Sequence, residues 1–69
     1  MTYSQLVELY TSLHMQNAGV LSFNSDDYSI IFKNLTTSEM LATSKALTAA
    51  GFKNEIIVQN TLLYKIRFI

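Results

Sequence analysis

The chain repeats one short design, and that repetition restricts its folds more than any other feature. In the second half, Leu35-Thr36-Thr37-Ser38-Glu39-Met40 reads as a helix start. Thr36 is a good N-cap, because its hydroxyl can accept from the unpaired N–H groups of a first helical turn. Glu39, three residues on, completes a capping box, and Leu35 and Met40 hold the two positions of a hydrophobic staple. The helix is expected to run to about Ala50, with Met40, Leu47 and Ala50 on one face and Leu41 and Ala46 beside them. Gly51 suits the left-handed residue that stops a helix, and Phe52 is placed to touch Leu47, as a Schellman motif favours. The first half opens the same way. In Met1-Thr2-Tyr3-Ser4-Gln5-Leu6, Thr2 is the cap, Gln5 closes the box, and Met1 and Leu6 are the staple pair. Its apolar stripe is Leu6, Leu9, Tyr10 and Leu13. The helix should fade near Gln16 or Asn17, and Ala18-Gly19 closes it as Ala50-Gly51 closes the second.

A hairpin pattern follows each helix. The first is Val20-Leu21-Ser22-Phe23, a turn at Asn24-Ser25-Asp26-Asp27, then Tyr28 to Phe32. The second is Glu55-Ile56-Ile57-Val58, a turn near Gln59-Asn60-Thr61, then Leu62 to Phe68. The closing strands share one pattern, Tyr28-x-Ile30-x-Phe32 and Tyr64-x-Ile66-x-Phe68. Side chains alternate between the faces of a strand, so each trio lies on one face. Capped start, Ala-Gly stop and Tyr-x-Ile-x-Phe strand thus recur in order. They define two αββ halves, 1–34 and 35–69, joined near Asn34–Leu35 within a single domain.

The expected fold class is α+β. An αββαββ order folds into a four-stranded antiparallel sheet with both helices on one face. It is a circular permutation of the ferredoxin-like βαββαβ arrangement, with the first strand moved to the end, and this likeness is topological and carries no function. The helix-covered face would hold Leu21, Phe23, Tyr28, Ile30, Phe32, Leu62, Tyr64, Ile66 and Phe68. Leu6, Leu9, Leu13, Met40, Leu47 and Phe52 would cover them. The other face would be open, carrying Ser22, Ser29, Ile31, Lys33, Leu63, Lys65 and Arg67 with either Ile56 or Ile57.

A chain of 69 residues has room for one core and buries only about 60% of its unfolded surface. Small domains often add disulfides, a metal or a partner chain. With no cysteine and one histidine, His14, neither a disulfide nor a structural zinc site is expected, and no cofactor is implied. Charged residues are only 14% of the chain, and five bases balance five acids. Such a chain has no overall field to draw nucleic acid or an anionic membrane, and little to hold copies apart. Charge is uneven, however. Residues 1–34 hold Glu8, Asp26 and Asp27 against Lys33, and residues 35–69 hold Lys45, Lys53, Lys65 and Arg67 against Glu39 and Glu55. The N-terminal residues lack the basic and apolar regions of a signal peptide. No apolar run approaches the roughly 18 residues that span a bilayer. A soluble, cytoplasmic protein is expected.

Catalytic chemistry finds little footing. Asp26-Asp27 is the one adjacent carboxylate pair, and acid–base catalysis needs two groups converging in a shielded pocket. Two neighbours in a turn are expected to be solvated and divergent. His14 reads as a structural residue at a helix C-terminus. Both glycines read as helix stops, so no phosphate-cradling loop is present. The expectation is therefore a non-enzymatic interaction protein, such as an inhibitor, adaptor or accessory subunit of the kind that phages and mobile elements encode. It would bind another protein, or itself as a homo-oligomer, through the open sheet face or an unprotected edge strand. The residues assigned to that contact are Ile31, Lys33, Leu63, Lys65 and Arg67. The alternative is nucleic-acid binding through Lys33, Lys65 and Arg67. It is the weaker one, because single-strand binders stack bases on exposed aromatics and here the aromatics are assigned to the core.

Overall fold

The computed structural model describes residues 1–16 and 19–69. Helix α1 (Tyr3–Gln16) leads to strands β1 (Val20–Asn24) and β2 (Ser29–Lys33). Helix α2 (Thr37–Ala49) leads to β3 (Asn54–Asn60) and β4 (Leu63–Phe68). The four strands form one antiparallel sheet in the order β1-β2-β4-β3. This is the α+β arrangement expected from the αββαββ order, and it is the strand order that the permuted ferredoxin-like topology requires.

The helix ends form as their residues dictate. Thr36 Oγ1 accepts from the Glu39 N–H at 3.2 Å, and Glu39 Oε1 accepts from the Thr36 N–H at 2.9 Å. At the start of α1, Thr2 Oγ1 accepts from the Gln5 N–H at 3.2 Å, and Gln5 Oε1 accepts from the Thr2 N–H at 2.8 Å. Each box satisfies two N–H groups that a helix start otherwise leaves unpaired. At the far end of α2, Phe52 N–H donates to the Leu47 carbonyl and Gly51 N–H to that of Thr48, both at 3.0 Å. That pair of bonds is a Schellman motif, and it is made with Gly51 at φ +98°. The closing of α1 at Asn17 and Ala18 lies outside the described residues.

The two Tyr-x-Ile-x-Phe trios pair with each other at the centre of the sheet. Ile30 lies opposite Ile66 and Phe32 opposite Tyr64, while Phe68 N–H donates to the Tyr28 carbonyl at 2.8 Å. The core sits on this side, under both helices. It comprises Leu6, Val20, Ile30, Phe32, Leu35, Met40, Leu47, Tyr64, Ile66 and Phe68, with Leu9, Leu13, Phe23, Phe52 and Ile56 packed against it. The staple residues Leu35 and Met40 are buried in it. Tyr10 fastens α1 to β1 through Phe23, ring centroids 4.9 Å apart. Asn54 fastens the start of β3 under α2, with its amide donating to the Ser44 and Phe52 carbonyls.

Two expectations about the core face need correction. Val20, not Leu21, enters the core from β1. The ladder shifts register between Val20 and Ser22, and this irregularity leaves Leu21 47% exposed. Leu62 is not a strand residue. It lies in the turn before β4 at φ +58° and is 44% exposed. Tyr28 packs against the core as expected, half-buried, but it ends the first turn at φ 51° rather than opening β2.

Candidate interaction surface

The core side of the sheet fixes what the other side carries. Because Ile30, Phe32, Tyr64 and Ile66 point under the helices, their neighbours Ile31, Lys33, Leu63, Lys65 and Arg67 point away. The five expected contact residues therefore share one face of the central strands. Ile31 lies opposite Lys65, Lys33 opposite Leu63, and Ser29 opposite Arg67. Ile57 is opposite Lys65 on its other side, and Ile56 is opposite Ile66. Thus Ile57 joins the open face and Ile56 the core. A row of Ser22, Ile31, Lys65 and Ile57 crosses the whole sheet.

This face is less basic than its sequence suggests. Lys65 Nζ is ion-paired with Asp27, and Arg67 Nη2 is 2.6 Å from Glu55 Oε1. Asp27 is not a free turn carboxylate pointing into solvent. It folds back over the sheet, where its Oδ1 accepts from Ser29 Oγ at 2.6 Å. Ser29 is covered as a result and has 0% exposure, although it belongs to the open side. The Lys65 hydrogen bond, then that of Ser29, holds the Asp27 carboxyl below its usual range, against a smaller opposing effect of burial. This pair links the acidic half of the chain to the basic half. Lys33 is exposed and makes no ion pair among the described residues.

The two edges of the sheet differ. Along an antiparallel ladder, residues alternate between hydrogen-bonded and non-hydrogen-bonded pairs. Ile69 N–H donates to the Lys53 carbonyl at 3.0 Å, so Glu55 and Ile57 bond inward to β4. The N–H and C=O groups of Ile56 and Val58 consequently point outward along the β3 edge, and the Val58 side chain is 68% exposed. At the other edge, Lys33 N–H donates to the Gly19 carbonyl at 2.8 Å, so the backbone groups of Val20 point outward from the sheet edge while its side chain stays in the core. There the His14 ring lies across the edge, with Nδ1 3.3 Å from the Val20 carbonyl oxygen and the ring stacked on Tyr10. His14 is thus a guard of the β1 edge, and its ring reaches β1 rather than only the end of its own helix. The β1 edge is short, irregular and partly covered, whereas β3 presents Ile56-Ile57-Val58 without proline and with its one charge already paired. Nothing in local composition distinguishes the two edges. The difference arises from register and from where α1 places His14.

A groove of about 380 Å³ opens between the helices, lined by Leu13, Gln16, Phe32, Ala42, Thr43, Ala46 and Leu47. No titratable side chain lines it. Among the described residues no group of His, Cys, Asp or Glu is placed to hold a metal ion. None of the described helices is long and apolar enough to cross a membrane. No protein-family model matches the chain, and neither a curated protein nor a solved structure matches it.

Proposed function

We propose that this chain is a non-enzymatic protein-interaction module that binds another polypeptide through the β3 edge and the open sheet face beside it. The observation that carries this reading is the outward-pointing backbone at Ile56 and Val58. An unpaired ladder is a template for an added strand, and main-chain hydrogen bonds supply the affinity in that mode of binding. Ile57, Ile31 and Leu63 add apolar contact on the adjoining face, between ion pairs that fix the geometry around them. A stoichiometric inhibitor, adaptor or accessory subunit, of the sort that phages and other mobile elements encode, acts in this way. The pairing of Lys65 with Asp27 and of Arg67 with Glu55 counts against the nucleic-acid alternative, because among the described residues it leaves Lys33 as the one base of the three without an ion pair.

Affinity capture with tagged chain from native-host extract tests this reading. A partner held in stoichiometric amount by the wild type should be lost by Val58→Lys, which blocks the edge, and by Ile31→Asp with Leu63→Asp, which alters the face. Far-UV circular dichroism should be unchanged in both variants. Equal capture by all three proteins, or capture only of nucleic acid that salt releases, contradicts the reading.

A further inference from the structure

Resting on the reading of β3 as the contact edge, we propose that its occupant is β3 of a second copy of this chain, paired antiparallel about a two-fold axis at Ile57. The strand reads Asn54-Glu55-Ile56-Ile57-Val58-Gln59-Asn60. It is close to a chemical palindrome. A two-fold axis at Ile57 sets Ile57 against Ile57, Ile56 against Val58, Glu55 against Gln59 and Asn54 against Asn60. Apolar residues meet apolar ones, and the only charged residue meets a neutral amide. Opposed like charges, which destabilise a ladder, do not occur. Moving the axis to Ile56 would set Glu55 against Ile57. Moving it to Val58 would run the pairing into the register shift between Val58 and Asn60.

The phase of the ladder agrees with the side chains. In β3, Ile57 bonds inward while Ile56 and Val58 bond outward, so an axis at Ile57 makes Ile57 opposite Ile57 a non-hydrogen-bonded pair. Ile56 of each copy then exchanges both backbone hydrogen bonds with Val58 of the other. The two Ile57 side chains meet in a non-hydrogen-bonded pair, where side chains approach most closely. Val58, otherwise largely exposed, is covered by Ile56 of the second copy. Five acids and five bases per chain leave no net repulsion between copies. The contact is isologous and closes on itself. The remaining edges are the β1 strands, whose register shift and His14 cover oppose further addition.

Size-exclusion chromatography with light scattering, together with one engineered thiol, tests the proposal. At tens of micromolar the wild type should show twice the 7.8 kDa chain mass and fall toward that mass on dilution. Val58→Lys should stay at the single mass with unchanged circular dichroism. The chain has no cysteine, so Ile57→Cys introduces one thiol per copy. Across the axis the two Cα atoms lie about 4.5 Å apart, within the range a disulfide spans. With oxidised glutathione, Ile57→Cys should form a covalent dimer about tenfold faster than Val58→Cys, whose two thiols are displaced along the ladder. A wild type that is monomeric at all these concentrations overturns the proposal. So does a dimer that Val58→Lys leaves intact, or equal cross-linking of the two cysteine variants. A monomeric wild type that still captures a different protein through β3 overturns self-pairing alone and leaves the function proposed above standing. A monomer that captures nothing through β3 overturns both.

Discussion

Asp27 shows how one side chain can hold a sheet face in place. Its carboxylate joins Ser29 and Lys65, and so ties the turn after β1 to the central strand β4. Its folded pKa is lowered, chiefly by Lys65. A lowered carboxylate contributes stability that is present above its unfolded value, about 3.9, and is lost as pH falls through the folded value. Acid titration of the wild type should therefore show stability declining below about pH 4. Asp27→Asn should be less stable at neutral pH and show a shallower decline, as followed by urea midpoints at several pH values. Identical acid limbs in the two proteins would deny Asp27 this role. The contact was not legible in sequence. Asp26-Asp27 has the composition of a turn, and a turn it is, but no local pattern says that one carboxylate will meet a lysine from the other half. Arg67 and Glu55 pair across strands for the same reason: register creates the neighbour.

The elements themselves were largely legible, because their ends are decided locally. Thr2 with Gln5, Thr36 with Glu39, and Gly51 with Phe52 satisfy specific unpaired backbone groups, and each makes the bonds its residue type allows. Replacing either cap threonine by alanine should cost about 1 kcal/mol. The costs of Thr2→Ala and Thr36→Ala should add to within about 0.5 kcal/mol in denaturant unfolding, as expected of separated sites. Strong non-additivity would mean that the two starts are coupled through the core. Strand faces were less legible at Leu21 and Leu62. Period-two alternation assumes an unbroken ladder, and the shift after Val20 moves the core position back by a residue. Leu62 follows an apolar pattern into β4, yet its left-handed backbone makes it part of the turn.

At the scale of the molecule, the αββαββ order places β2 and β4 at the centre and leaves β1 and β3 as edges, and the function proposed above rests on how unlike those edges are. The five residues expected to form the contact do share a face, but Lys65 and Arg67 are already paired there. The β3 edge was visible in sequence only as an unprotected strand, since which backbone groups are free follows from ladder phase. Residue-resolved amide hydrogen exchange tests the central claim, that β3 offers an open edge at which a second chain adds. In dilute protein, Glu55 and Ile57 amides should be protected, while Ile56 and Val58 should exchange rapidly. As concentration rises, or a captured partner is added, Ile56 and Val58 should gain protection and Glu55 and Ile57 should change little. Protection of Ile56 and Val58 in dilute protein, or no gain in either condition, would contradict the account.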